Sequence, residues 1–432
     1  MPTRVNIRSP YYIKDVSSSS GTSSISIYIY EGTLFTNKPS TAQYSLSKPF
    51  IQDSSNYYAV YEIAELIRDY ISTEFNGTYN NKPVWVEIDG INGDVTGTAT
   101  GDDDGEGLDD SSATFQTDNI AAGMVIRNTS SGNPGTGFVV SVESETKLKL
   151  TDESDLSGFV DMFGIGNTYE IFYRPPIFLA YDGYSYFEEG INSSIGNEPV
   201  LLSSNTVYRG SSQAIKIPVN VDYLDEGGGW TYDTYLDGSV VSTEVTGTSR
   251  TEDSATMISY INVGSLFDEI RLFREPVISG TRTEIDRVYI NEMDCNKYDA
   301  IKLTFYNRYG ALQDLFFTAK HTETLTTKQE DYKSNLIDFS TLSYSTTRHQ
   351  SQTFQKRGKE KITLNTGNVN EDYNEAMKEL MLSEKVWMTK DSTVYPIKVT
   401  SSNFRERTSV NDKVFNYTIE AEYAFDKVQN IR

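Results

Sequence analysis

The residues whose types and spacing come nearest to a metal site are the acidic run Asp102-Asp103-Asp104-Gly105-Glu106-Gly107-Leu108-Asp109-Asp110. Calcium loops place oxygen ligands at alternate positions, put glycine at the sharp bend and close on a bidentate glutamate at the twelfth position. Asp102, Asp104, Glu106 and Gly107 reproduce the first half, but Ala113 stands where that glutamate belongs, so a solvated loop is the plainer reading. Glu188-Glu189 suggests the paired carboxylates of a glycosidase. On an extended strand neighbouring side chains point to opposite faces, which would keep the pair from flanking one sugar. Triad chemistry needs a serine in a strained turn beside a histidine. No Gly-x-Ser-x-Gly occurs, and His321 and His349 sit in the polar settings Lys320-His321-Thr322 and Arg348-His349-Gln350. Gly105-x-Gly107 and Gly227-Gly228-Gly229 lack the strand-to-helix setting of a phosphate loop. Cys295 is the single cysteine, which leaves neither an intrachain disulfide nor a cysteine-based zinc site. The expectation is a protein with no cofactor and no enzymatic activity.

Contact chemistry is better represented. The tract Tyr181-Asp182-Gly183-Tyr184-Ser185-Tyr186-Phe187 has two readings. Tyr181, Tyr184, Tyr186 and Phe187 either pack at a domain interface, where rings bury area at low entropy cost, or form a sugar-stacking or protein-docking patch. The basic stretch Lys356-Arg357-Gly358-Lys359-Glu360-Lys361 reads as a hairpin tip. Its Lys356, Arg357 and Lys359 could pair with an acidic neighbouring subunit. Tyr373 and Met377, on the apolar face of a helix near the C-terminus, complete the interface candidates.

The elements that must position these groups are mostly strands. Ser24–Tyr30 alternates with Ile25, Ile27 and Ile29 on one face, and Tyr44–Ile51 and Val84–Ile88 are further strands. Between them, Ala59–Glu74 matches helical spacing, with Val60, Ile63, Ile67, Tyr70 and Ile71 on one side, after a capping region at Asp53-Ser54-Ser55-Asn56. Short strands at Met124–Asn128, Gly137–Val142 and Lys147–Leu150 follow a Gly/Thr/Asp-rich stretch and are separated by turn residues. A series at about ten-residue spacing, Ala214–Val221, Thr231–Leu236, Val240–Val245, Met257–Val263, Leu266–Phe273 and Arg287–Ile290, fits a β-sandwich. Ala300–Asn307 and Leu312–Lys320 open the last unit. Lys361–Asn365, a helix over Glu371–Ser383 capped at Asn368 or Asn370, a hairpin at Val386–Met388 and Tyr395–Thr400, and a strand over Lys413–Phe425 close it.

With 432 residues the chain exceeds one hydrophobic core. Its 30 Tyr and 20 Phe, against a hydrophobic content of 37%, point to sheets that bury aromatic pairs. The predicted fold class is mainly β: a multi-domain, β-sandwich-like protein with an inserted small β-module and a C-terminal sheet carrying one helix. The expected divisions are 1–90 with 168–204, the insert 91–167, a sandwich at 205–290 and an assembly domain at 291–432. Asp and Glu number 61 against 38 Lys and Arg, a formal charge of −23 that repels phosphate backbones, so nucleic acid is expected at most as the contents of a pore. The start Met1-Pro2-Thr3-Arg4 has no apolar signal core and no run reaches membrane-spanning length, so neither general export nor membrane insertion is expected.

Ser112-Ala113-Thr114-Phe115, Gly123-Met124-Val125-Ile126-Arg127-Asn128 and Leu148-Lys149-Leu150-Thr151 are similar to a small β-module found in virion proteins of tailed bacteriophages. Phe305–Asp314, Lys361–Gly367 and Asn411–Tyr417 resemble structural proteins of marine and Bacteroidetes-type phages, and Glu371–Val399 resembles in layout the modules of tail and baseplate rings. The resemblance covers roughly half the chain and transfers no catalytic residue. It implies a tail, baseplate or neck protein, assembled in the host cytoplasm, whose partners are copies of itself in a ring and other phage structural proteins. The alternative is a carbohydrate- or receptor-binding adhesin of the virion.

Overall fold

The computed structural model describes residues 3–428 apart from 54–55, 72–73, 102–106, 132–134, 153–162, 174–175, 194–197, 212, 225–228, 246–257, 265, 276–280, 294–296 and 407–414. Among these residues strands account for 51% and helices for 6%, so the chain is a mainly β, multi-sheet protein. No helix among them is long and apolar enough to cross a membrane.

The N-terminal region pairs two sheets over one core. Five strands lie in the order Thr3–Asn6, Ile177–Tyr181, Val84–Asp89, Thr22–Tyr30 and Tyr44–Pro49, with the first two parallel and the rest antiparallel. A three-stranded sheet is built from Tyr12–Ser17, Asn56–Glu62 and Ile51–Asp53. Ile25, Ile27 and Ile29 all face the core, as their alternation requires. The helix expected over 59–74 is shorter and later. Asn56–Glu62 is a strand paired with Tyr12–Ser17, and among the described residues of this stretch only Ala64–Arg68 is helical. The run Tyr57-Tyr58-Ala59-Val60-Tyr61 explains the difference: Ala59 and Tyr61 point inward while Val60 is exposed, a period of two hidden beneath a partial match to 3.6.

An antiparallel six-stranded sheet follows between Val95 and Phe172, and Thr168–Phe172 joins it between Val95–Thr98 and Val125–Asn128. Its edges are drawn together by N–H groups of Thr100 and Gly101 that donate to the Asp109 carbonyl at 2.8 and 3.2 Å. Leu108, Phe115, Ile126, Leu148 and Tyr169 form its own core, whereas Val125, Phe138 and Phe172 pack into the N-terminal one.

Beyond residue 200, a five-stranded sheet (Thr206–Gly210, Thr283–Met293, Glu269–Arg274, Trp230–Leu236, Ser239–Val245) and the pair Ile215–Asn220 with Ile258–Val263 precede a seven-stranded antiparallel sheet. The latter runs Leu312–Phe317, Ile301–Tyr306, Val386–Lys390, Thr393–Val399, Thr418–Tyr423, Ser351–Asn365 and Thr322–Lys333. One continuous core, from Val207 and Trp230 through Leu303 to Ile419, crosses position 290. The helix Tyr373–Leu382 lays Tyr373, Ala376, Met377 and Leu380 onto this core. The Asn370 amide oxygen accepts from the Asp372 N–H at 3.1 Å just ahead of its first turn. The hairpin after it turns on Asp391 and Ser392, both at positive φ, as a two-residue connection between right-twisted strands demands.

Candidate assembly interface

The aromatic tract and the basic stretch occupy opposite kinds of position. Tyr181 and Tyr184 are buried, Tyr186 is half-buried, and the tract forms a seam between the N-terminal sheet and the C-terminal helix. The Tyr184 N–H donates to the Arg308 carbonyl at 2.9 Å, and the Tyr186 hydroxyl donates to the Glu375 carboxylate at 2.6 Å. Arg4 lies over the Tyr181 ring, Arg8 over Tyr184, and both Arg308 and Lys378 over Tyr186, all at 4.5–5.0 Å from the centroids. Burial and the Glu375 carboxylate push the Tyr186 hydroxyl well above its ordinary range. The main chains approach so closely that a Cβ on Gly183 would stand 2.6 Å from the Arg308 carbonyl, and Gly310, at φ +70°, sits against the Gly183 N–H.

Two buried carboxyls belong to the same seam. Glu379 accepts from the Arg308 N–H at 3.1 Å, and burial pushes its carboxyl up to about 7, against the pull of Arg308 and the Ser203 hydroxyl. Asp182 is pushed up to about 6, again by burial, with Arg8, Arg68, Glu384 and Lys385 around it. Farther along, buried Asp314 accepts from the hydroxyls of Tyr79 at 2.6 Å and Thr304 at 2.7 Å, so that carboxylate is hydrogen-bonded from both sides of the seam.

Sugar stacking needs a free ring face. Tyr181 and Tyr184 present theirs to arginines of the same chain, and Tyr373 and Met377 are core residues under the helix, so none of these four interface candidates reaches the surface. Phe187 does, at 89% exposure. Glu188 and Glu189 lie in a single 3-10 turn, Phe187–Glu189, instead of on a strand: Glu188 is exposed while Glu189 ion-pairs with Arg308. The weak calcium candidates Asp102, Asp104 and Glu106 fall outside the described residues. Among the described residues no three His, Cys, Asp or Glu side chains converge as a metal site.

The basic stretch is not a hairpin tip. Lys356, Arg357 and Lys359 sit within the strand Ser351–Asn365, which pairs over its length with Thr322–Lys333. Gly358, read as a turn residue, is an in-strand glycine whose Cβ would touch Leu325 at 3.2 Å and Lys427 at 3.7 Å. The true tip is 334–350. Strand Thr418–Tyr423 supports the hairpin only up to Lys361, and the Lys427 N–H reaches Gly358 at 2.7 Å. From Lys328 outward the ribbon has no further backbone neighbour among the described residues, and it extends for about 20 Å before the tip loop. Every residue of Thr322–Lys333 is exposed.

The tip is a knuckle held by its own short polar side chains. Asn335 accepts from the Ile337 N–H at 3.0 Å, and Asp338 from the Ser340 N–H at 2.8 Å, while the Asp338 N–H donates to the Ser343 carbonyl at 2.9 Å. This closure turns Phe339 and Leu342 outward at 80% and 82% exposure, Leu342 at φ +50°, a region costly for a leucine. Ile337, Tyr344 and Phe354 add exposed apolar surface nearby. Sequence reasoning missed the outgoing strand because Thr322–Lys333 is polar on both faces and offers no apolar alternation; its one local signal is the threonine-rich start, Thr322 to Thr327.

No protein-family model matches the chain, and no curated protein matches it.

Proposed function

We propose that this chain is a non-enzymatic structural subunit of a tailed-phage particle, placed in the tail, baseplate or neck, that assembles with copies of itself into a ring. The observation that carries the reading is the projecting arm, a ribbon exposed on both faces that ends in an outward-turned apolar knuckle. Such a ribbon is marginally stable alone and gains most from burial against another chain. The phage context is supported by the sequence resemblance carried by Ser112–Phe115, Phe305–Asp314 and Lys361–Gly367. Rings of this sort are held by extensive, well-packed interfaces, upward of roughly 2,000 Å². The test is mass spectrometry of particles separated into heads and tails. The chain is expected in the tail or neck fraction in a fixed multiple; its absence from both fractions overturns the proposal.

A further inference from the structure

The arm's outer strand leaves a main-chain edge open. Thr322–Lys333 is the last strand of the seven-stranded sheet and pairs on one side only, with Ser351–Asn365. In an antiparallel pair the N–H and C=O of one residue point to the same side, and successive residues alternate. Two bonds fix which residues point away. The Ser334 N–H donates inward to the Gln350 carbonyl at 2.8 Å, and the Gly358 carbonyl, opposite Thr327, turns away from that strand to accept from the Lys427 N–H. Leu325, Thr327, Gln329, Asp331 and Lys333 therefore aim their main-chain groups outward. Such edges are ordinarily blunted by proline, by a bulge or by brevity. This one is 12 residues long and has no proline, and the register shift at Glu330/Asp331 places its extra residue, Phe354, on the inner strand. The outer edge runs on unbroken.

The strand's own sequence fits that edge. Turned antiparallel against a second copy of itself about Gln329, it sets Lys328 opposite Glu330 on both sides of the axis, Thr326 opposite Tyr332 and Thr327 opposite Asp331. Moving the two-fold axis by one residue in either direction spoils the match, since Lys328 then meets Lys328 or Glu330 meets Glu330. The pairing also answers a conflict inside the ribbon. Lys328 faces Arg357 directly across it, and like charges so placed cost stability. Glu330 of a second copy falls on the same face beside Lys328 and supplies a counter-charge.

We infer that two copies join through Thr322–Lys333, edge to edge and antiparallel with Gln329 on the two-fold axis, so that two ribbons fuse into one sheet; the inference rests on the assembly role proposed above. Main-chain hydrogen bonds hold the contact, and the charges set its register. With Lys333 opposite Leu325, each apolar knuckle is carried toward the base of the other arm. The contact is isologous, so it couples copies across a dyad and ties a ring closed by other surfaces to a second ring, face to face.

The test uses the full chain in sedimentation across a concentration series. Lys328→Glu and Glu330→Lys each set like charges opposite one another twice and should raise the concentration for half-association about tenfold or more. An equimolar mixture of the two variants restores both pairs, as does the double reversal in one chain, and each should associate like the parent. Gln329→Pro removes an outward N–H and no bond within the ribbon, so it should weaken association with an unchanged melting curve of the monomer. In a Cys295→Ser background, Gln329→Cys should form a disulfide-linked dimer with itself, because facing residues on the axis stand about 5.5 Å apart, within disulfide reach. Thr324→Cys, which faces Ser334 in this register, should not. A chain that stays monomeric throughout, charge variants that associate like the parent, a mixture that fails to restore association, or Thr324→Cys linking to itself as readily as Gln329→Cys overturns the inference. Any of these, found for a chain that is nevertheless present in tails, leaves the structural role standing. Register-specific pairing of a chain absent from particles does the reverse.

Discussion

The seam around Tyr184 and the arm around Phe339 are made from the same residue types, aromatic rings and basic side chains, yet they sit at opposite ends of the burial scale. At the seam each ring lies under a guanidinium or ammonium of the same chain, and the backbone groups are paired across it. On the arm the cations face each other and the rings face solvent. A cation over a ring, desolvated within one chain, contributes to folding; the same groups held away from the body can contribute only when something arrives. Composition marks where contact chemistry lies, while topology decides whether the partner is in the same molecule.

Met377→Ala removes a fully buried side chain beneath the C-terminal helix and should cost about 2–5 kcal/mol. Leu342→Ala, at the exposed knuckle, should change stability by no more than about 0.5 kcal/mol. Denaturant midpoints of the two variants measured below the association concentration check both. A knuckle variant as destabilised as the helix variant would mean that the arm folds back onto its own body.

Glu379 keeps its proton in the folded seam up to about 7, whereas the ordinary glutamate value is 4.5. The folded state therefore binds more protons than the unfolded one between those values, and stability falls as pH rises from about 4.5 to 7 and is level above. Glu379→Gln cannot ionise and can still accept from the Arg308 N–H, so it should be more stable than the parent at pH 8, by on the order of one to a few kcal/mol, with the advantage gone at pH 4. Asp182 titrates in the same direction, toward about 6, so a reduced slope remains in the variant. Melting temperatures from pH 4 to 8 separate the two; an arm variant such as Leu342→Ala should leave the profile unmoved.

How much of this was legible beforehand depends on whether one residue's neighbours lie close in the chain. Ile25, Ile27 and Ile29 show their face through strict alternation, and Tyr373, Met377 and Leu380 show theirs through helical spacing, because each pattern is written within ten residues. The strand Asn56–Glu62 was obscured since Val60, Ile63 and Ile67 fit a helical stripe that the pairing with Tyr12–Ser17 overrides. Thr322–Lys333 carries no apolar face, so its partnership with a strand almost thirty residues on leaves little local trace. The fate of Tyr184 hangs on Arg8 and Arg308, both far away in sequence, which is why a packed seam and an open patch read alike at the level of residue types.

The smallest effect is the most diagnostic in sign. Lys328→Glu replaces a like-charged cross-strand pair with an opposite-charged one facing Arg357. In an isolated chain this should stabilise the ribbon by about 0.2–1 kcal/mol, the usual worth of such a pair. Slower amide hydrogen exchange over Lys328–Lys333 in the monomer would register it, while the core strands stay unchanged. The same substitution removes a cation from the face proposed to meet an acidic neighbouring subunit, so association should weaken as the arm itself tightens. A residue placed for the chain's own fold would move both quantities in one direction. Opposite movement identifies Lys328 as placed for a second molecule, and a variant that both loosens the ribbon and leaves association intact would remove the arm's cationic face from the assembly argument.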